Sequence, residues 1–189
     1  MTGTRGYHHG DLRRTLLTTA VQVIEESGPA ALSLRDLARR AGVSHAAPAH
    51  HFGDKAGLLT ALAADGFDLL AKALYGAGDA LLDRGVAYVD FAVRHRAHFE
   101  VMFRADLYRP DAEELVAARQ RAGAALNSGV AALPEDRPTA EDPQGDALAA
   151  WSIVHGFATL WLSGALPARV GDDPRAAVRA LAGRLFPKE

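Results

Sequence analysis

Leu34-Arg-Asp-Leu-Ala-Arg-Arg-Ala-Gly-Val-Ser-His-Ala-Ala-Pro-Ala-His-His-Phe52 is the stretch from which the rest of the chain can be read. Leu34, Leu37, Ala38 and Ala41 recur at three- and four-residue steps and give a short helix one apolar face. Ser33, just before it, is an N-cap residue, and Asp36 stands three positions on where a capping-box acid belongs. Gly42 permits a sharp reversal, Val43 plugs the junction, and Ser44 is placed to cap a second short helix running to about His51. Ala38 is small where that second helix must cross close by. Two short helices meeting at a glycine turn form a helix-turn-helix, whose second helix can enter a major groove with its N-terminal residues at base edges.

Working outward, the spacing predicts a helix over 11–27, carried by Leu12, Leu16, Leu17, Ala20, Val21, Val23 and Ile24 and stopped by Gly28-Pro29. Asp54 is placed to cap a fourth helix over 55–75, the connector to everything beyond. Further helices are predicted over 79–94, 96–104, 111–133, 144–166 and 174–186, and the Pro- and acid-rich segment 134–146 reads as a loop. No strand pattern or repeat stands out. The predicted fold class is all-α, with a helix-turn-helix domain over 1–54 and a helical domain over 55–189.

Composition agrees. Of 189 residues, 49% are hydrophobic and 23% charged, as in an ordinary globular protein, and β-branched residues are sparse. There is no cysteine, which removes disulfides and thiolate chemistry and fits a reducing cytoplasm. No apolar run reaches the roughly 20 residues of a membrane helix, so no membrane partner is expected. The net charge is −2, yet residues 1–60 hold seven Lys and Arg against five acids, a weakly basic head on an acidic body. Five of the eight histidines also fall there. His50 and His51 are adjacent and so point about 100° apart on a helix, a poor chelating pair, while His8 and His9 lie in an N-terminal arm. No metal or cofactor is expected.

The region from about residue 8 to residue 70 resembles the TetR family of repressors. Tyr7-His-His-Gly-Asp-Leu-Arg-Arg, Ser33-Leu-Arg-Asp-Leu-Ala, Ala41-Gly-Val-Ser, His51-Phe52 and Asp54-Lys55 occur in order and at that family's spacing. Farther on, Trp151-Ser-Ile-Val-His155-Gly156-Phe157 resembles the Trp…His-Gly pattern of one subgroup's C-terminal domain. The resemblance implies a homodimeric, cytoplasmic regulator of double-stranded operator DNA, released by a small-molecule effector of unknown identity. It implies that Ser33 and Ser44 cap helices and meet phosphates, and that His45 and Ala46 face base edges. His50 and His51 would lie near the DNA backbone, with Lys55 neutralising a phosphate. Where this chain has Ala49 the family commonly has tyrosine, whose phenol meets a phosphate. Its loss implies weaker binding unless His45 or His50 compensates. Pro48 is expected to remove one early hydrogen bond of the recognition helix.

In the C-terminal half most aromatics read as core, Tyr88 and Phe157 among them. The candidates for ligand contact are Phe99, Met102, Phe103, Trp151 and His155. A histidine inside an apolar helix must find a partner, and both an internal one and a ligand fit. The last two helices carry stripes that suit helix packing. In the family the corresponding helices form a four-helix dimer interface, which implies that Val154, Ala158, Leu162, Val178, Leu181 and Leu185 meet a second copy.

Two other classes compete. An enzyme needs a nucleophile and base or a carboxylate pair, and His155 with Glu100 is the only pair worth testing. A helical interaction protein that has lost DNA binding is the other, kept open by Ala49.

Overall fold

The computed structural model describes residues 9–135 and 139–185. Among them nine α-helices follow one another: α1 (His9–Ser27), α2 (Leu34–Ala41), α3 (Ala47–Phe52), α4 (Lys55–Gly76), α5 (Leu81–Arg94), α6 (Arg96–Met102), α7 (Glu113–Ala131), α8 (Pro143–Leu162) and α9 (Pro174–Leu185). Short 3-10 turns lie at Pro29–Ala31 and Ala168–Val170. The chain is all-α, as predicted. None of the described helices is long and apolar enough to cross a membrane.

Helix ends follow the caps more closely than the apolar periodicity did. Ser33 is extended, and its Oγ accepts the Asp36 N–H at 3.2 Å, as expected of the cap. Gly42 is left-handed at φ 67°, with Val43 N–H returning to the Ala38 carbonyl. Asp54 Oδ1 accepts the Gly57 N–H at 2.8 Å and opens α4. At α8 the helix begins one residue earlier than predicted, because Pro143 suits a first position and Asp142 caps it through Gly145. It ends at Leu162 instead of residue 166, since Gly164 turns left-handed at φ 70° and closes the end. The helix expected to start at residue 11 starts at His9; His8 lies outside the described residues.

One expected cap is wrong. Ser44 does not cap α3; residues 44–46 form a turn, and Ala46 precedes the helix with no side-chain cap. Pro48 consequently sits at the second helical position, where no intrahelical N–H bond exists to lose, and its ring is buried.

Packing divides the chain into two compact units, each assembled from separated segments. The first joins residues 1–65 with 97–116. Its core holds Leu16, Ala20, Val23 and Ile24 of α1, Leu37 and Ala38 of α2, Phe52, Leu58, Leu59 and Leu62, together with Val101, Met102 and Leu115. Tyr108 is buried there too, its hydroxyl donating to the Met102 carbonyl at 2.7 Å. The second unit joins residues 66–96 with 117–189. In it α5 packs against α8 and α9, burying Tyr88, Val89, Phe91 and Ala92 with Val154, Phe157, Ala158, Val178 and Ala182. Ion pairs rim the α5–α9 contact: Arg175 with Asp90 and Arg179 with Asp83, both at 2.6 Å.

Candidate nucleic-acid interface and ligand cavity

In the first unit, α1, α2 and α3 stack, α2 touching both neighbours, and the polar residues of the turn and α3 are left facing water. Ser33, Ser44, His45, Ala46, Ala49 and His50 are exposed, while His51 is half-buried beside Phe52. His45 and Ala46 lie in the turn before α3, not on the helix. The corner between α3 and α4 is tight. A Cβ on Gly57 would stand 1.9 Å from the Phe52 carbonyl oxygen, so only glycine fits. Asp54, besides capping α4, takes the Arg109 guanidinium at 2.7 Å, and Arg109 N–H donates to Thr60 Oγ1. The Arg13 guanidinium lies over the Phe52 ring at 5.5 Å.

Charge on this unit is partly tied up. Asp36 accepts from Arg39 at 2.6 Å and from Arg40 at 2.8 Å, and Arg40 also reaches Glu26 at 2.6 Å. The Arg39 hydrogen bond, with that of Arg40, holds the Asp36 carboxyl below its ordinary value. These pairs are exposed, so they stabilise little and compete with any phosphate for the same arginines. Lys55 Nζ donates to the Ala30 carbonyl at 2.9 Å, which fixes it at the start of α4 with donors to spare. Arg35, exposed near the start of α2, was not singled out from the sequence; a lone arginine beside Asp36 reads there as a solvated face.

The residues expected around a ligand fall in both units. Phe99 and Met102 are buried and Phe103 is half-buried on or just past α6 of the first unit, the two rings meeting edge to face at 5.2 Å. Trp151 and His155 lie one turn apart on α8 of the second unit. There they share a partner: Trp151 Nε1 donates to the Tyr88 hydroxyl at 3.2 Å, and that hydroxyl lies 2.9 Å from His155 Nδ1. Burial pushes the Tyr88 phenol above its ordinary value, the Trp151 hydrogen bond opposing. Burial also lowers His155, favouring its neutral form. With the phenol keeping its proton and accepting from the indole, its O–H can donate to Nδ1 in the imidazole tautomer protonated at Nε2. The indole N–H and one imidazole nitrogen of this apolar helix thereby find their partner within the chain.

A cavity of about 420 Å³ opens beside this triad. Leu74, Leu81, Leu126, Leu133, Ile153 and Val154 give it an apolar lining, and Arg84, Asp79 and Tyr88 supply the polar groups. None of Phe99, Met102, Phe103, Trp151 or His155 lines it. Arg84 and Tyr88 were legible as an i, i+4 pair, but next to Asp83 an arginine suggests solvent.

On α8 and α9 the stripe expected to meet a second copy is largely covered by the chain itself. Val154, Ala158 and Val178 are buried because α5 lies on them, and Leu162 is half-buried. Leu185 closes α9, its side chain outside the described residues. The large apolar side chains left in water on these helices are Leu148, Leu160 and Leu181, at 59%, 47% and 43% exposure. Among the described residues no group of three or more His, Asp and Glu side chains is placed to hold a metal ion.

Comparison with known proteins matches both parts of the chain. Residues 16–62 match the model of bacterial regulatory proteins of the tetR family, and residues 81–185 match that of the tetracyclin repressor-like C-terminal domain. The chain is 36% identical over 103 residues to the HTH-type transcriptional regulator BetI of Rhizobium meliloti, a stretch covering 52% of this chain but only 45% of that relative. A structure of a protein of unknown function from Rhodococcus sp. RHA1 is 34% identical, with a TM-score of 0.75 over 96% of this chain and 97% of the other. The TetR family regulator PfmR from Thermus thermophilus, 23% identical, shares the fold at a TM-score of 0.62 over 88% and 93%.

Proposed function

The chain belongs to the TetR family of bacterial transcriptional regulators, and from that membership we propose that it is a cytoplasmic, homodimeric repressor released from a palindromic operator by a small molecule. The observation that carries the reading is the exposed set Ser44, His45, Ala46, Ala49 and His50, presented by a capped α2, a left-handed Gly42 and a corner that admits only glycine at 57. His45 and Ala46 are assigned to base edges. Ser33, Ser44, His50, His51 and Lys55 are assigned to the backbone, and Ala49 sits where a further phosphate contact is missing. The domain division follows function, 1–54 for DNA and 55–189 for ligand and dimer, with α4 beginning at the join.

The effector site is assigned to the 420 Å³ cavity, a size that suits a small ligand. Leu74 of α4 lines it, and the same helix begins at Lys55 beside the DNA-facing residues. A ligand that favours one position of α4 shifts the population of DNA-competent dimers, provided it binds the two states unequally. The dimer face is assigned to the outward side of α8, where Leu148 and Leu160 flank Ser152 and Thr159, and to Leu181 of α9. The Trp…His-Gly subgroup reading is retained for Trp151, His155 and Gly156, supported by the common partner Tyr88. Catalysis is not assigned: the His155 ring is bonded to the Tyr88 phenol.

The test is selection of bound sequences from a random duplex pool at two salt concentrations. A regulator enriches a palindrome and loses affinity steeply with salt, because each phosphate contact releases counterions. A folded dimer that enriches nothing would overturn the reading and favour an interaction protein on a regulator's scaffold.

A further inference from the structure

Arg84 is a cation set into an oily wall. It is 3% exposed, and a guanidinium stays charged at any accessible pH. Its Nε donates to the Gly78 carbonyl at 2.7 Å, and one terminal nitrogen reaches the Ala125 carbonyl and Ser128 Oγ. Those partners are neutral. The one carboxylate bonded to it among the described residues is Asp79 at 3.2 Å, and Asp79 is 95% exposed, its charge spent largely on water. The arginine's place is built: a Cβ on Gly129 would stand 2.9 Å from Arg84 Cδ, so α7 presents a glycine where the side chain passes. A buried charge is costly unless it is compensated, and here the compensation comes from dipoles, the Tyr75 ring 5.9 Å from the guanidinium and a solvated acid.

We propose that the cavity takes an amphipathic anion, a carboxylate on an apolar body, with its head at Arg84 in place of Asp79 and its body against Leu74, Leu81, Leu126, Leu133, Ile153 and Val154. This rests on the reading of the cavity as the effector site and names the class of effector. A carboxylate offers a charged acceptor to the one guanidinium nitrogen that Asp79 now holds, the other two being bonded to Gly78, Ala125 and Ser128. A charge-assisted hydrogen bond there offsets the loss of its hydration. A cationic ligand meets the guanidinium's repulsion, and a neutral one leaves the charge as it stands. Asp79, which also lines the cavity, is the internal anion that a ligand must displace.

The experiment is calorimetric titration of the full chain with decanoate, below its micelle concentration, and with 1-decanol as the neutral counterpart. Decanoate is expected to bind about ten-fold tighter than decanol or better, the margin of a charge-assisted hydrogen bond. Asp79→Asn, an exposed change that leaves Arg84 in place, is expected to tighten decanoate several-fold more than it alters decanol. Arg84→Gln is expected to erase the preference if thermal unfolding shows the variant folded. Equal binding of decanoate and decanol to both the parent and the Asp79→Asn protein would overturn the anion class and leave the cavity as an effector site. Binding of neither to a folded protein would overturn both readings.

Discussion

Tyr88 shows how much one side chain can decide. It gives His155 and Trp151, two polar groups on an apolar helix, a common partner. Tyr88→Phe removes the hydroxyl and leaves both neighbours short of a bond, which should cost about 1–2 kcal/mol in urea unfolding. The imidazole also gives stability a pH dependence. Burial lowers the folded value of His155 below the ordinary 6.5, so the unfolded chain binds the proton more readily. The contribution is therefore complete above about pH 6.5, is lost as the pH falls through that value, and levels off below the folded value. The melting temperature should fall between about pH 7.5 and pH 5.5 by more in the parent than in His155→Asn. An equal fall in the two would remove His155 from the effect. In the other unit, Ala49→Tyr places a phenol on the exposed side of α3. It should tighten duplex binding about five-fold and steepen the salt dependence, as anisotropy titrations at two salt concentrations would read.

At the scale of the element, glycines are not equivalent. Gly57 lies in the first turn of α4, where a Cβ would meet the Phe52 carbonyl oxygen at 1.9 Å, and neither backbone can yield. Gly57→Ala should cost at least about 3 kcal/mol and abolish duplex binding through loss of the α3–α4 corner. Gly129 in α7 is crowded only by the stem of Arg84 and by Leu81. Gly129→Ala should cost about 1–3 kcal/mol, less than Gly57→Ala. The Cβ would crowd the stem of an Arg84 whose guanidinium is held by the Gly78 and Ala125 carbonyls, which outweighs alanine's helix propensity. Chemical denaturation of the two variants side by side checks both. The same contrast explains the helix ends. Caps with a side-chain oxygen and a backbone N–H in reach, at Ser33, Asp54 and Asp142, hold their residues, whereas Ser44 is taken up in a turn.

Across the whole molecule the dimer is the decisive expectation. Leu160→Glu places a charge on the outward side of α8 and should give a folded monomer by sedimentation that no longer binds a palindrome. Val154→Glu, by contrast, buries a charge under α5 and should prevent folding, seen as lost helicity by circular dichroism. If Leu160→Glu stays dimeric, the dimer face lies elsewhere.

The fold class was written in local pattern: the apolar steps of α1 and α2, the Ser33 cap, Gly42, and Asp54 ahead of α4 are decisions made within a few residues of one another. That is why the helix-turn-helix and its exposed residues could be named from the chain alone. What could not be named depends on distant segments meeting. Residues 97–116 join the core of the first unit although some thirty residues of the second precede them. α5 lies on the stripe of α8 and α9 that periodicity offered to a second copy, and Tyr88 finds His155 across 67 residues of sequence. Arg84 is buried because a glycine on α7 and two carbonyls from different segments make room for it and bind it. A helical period says which residues share a face. Which neighbour covers that face is set by the packing of the whole, and the position of a buried charge follows from it.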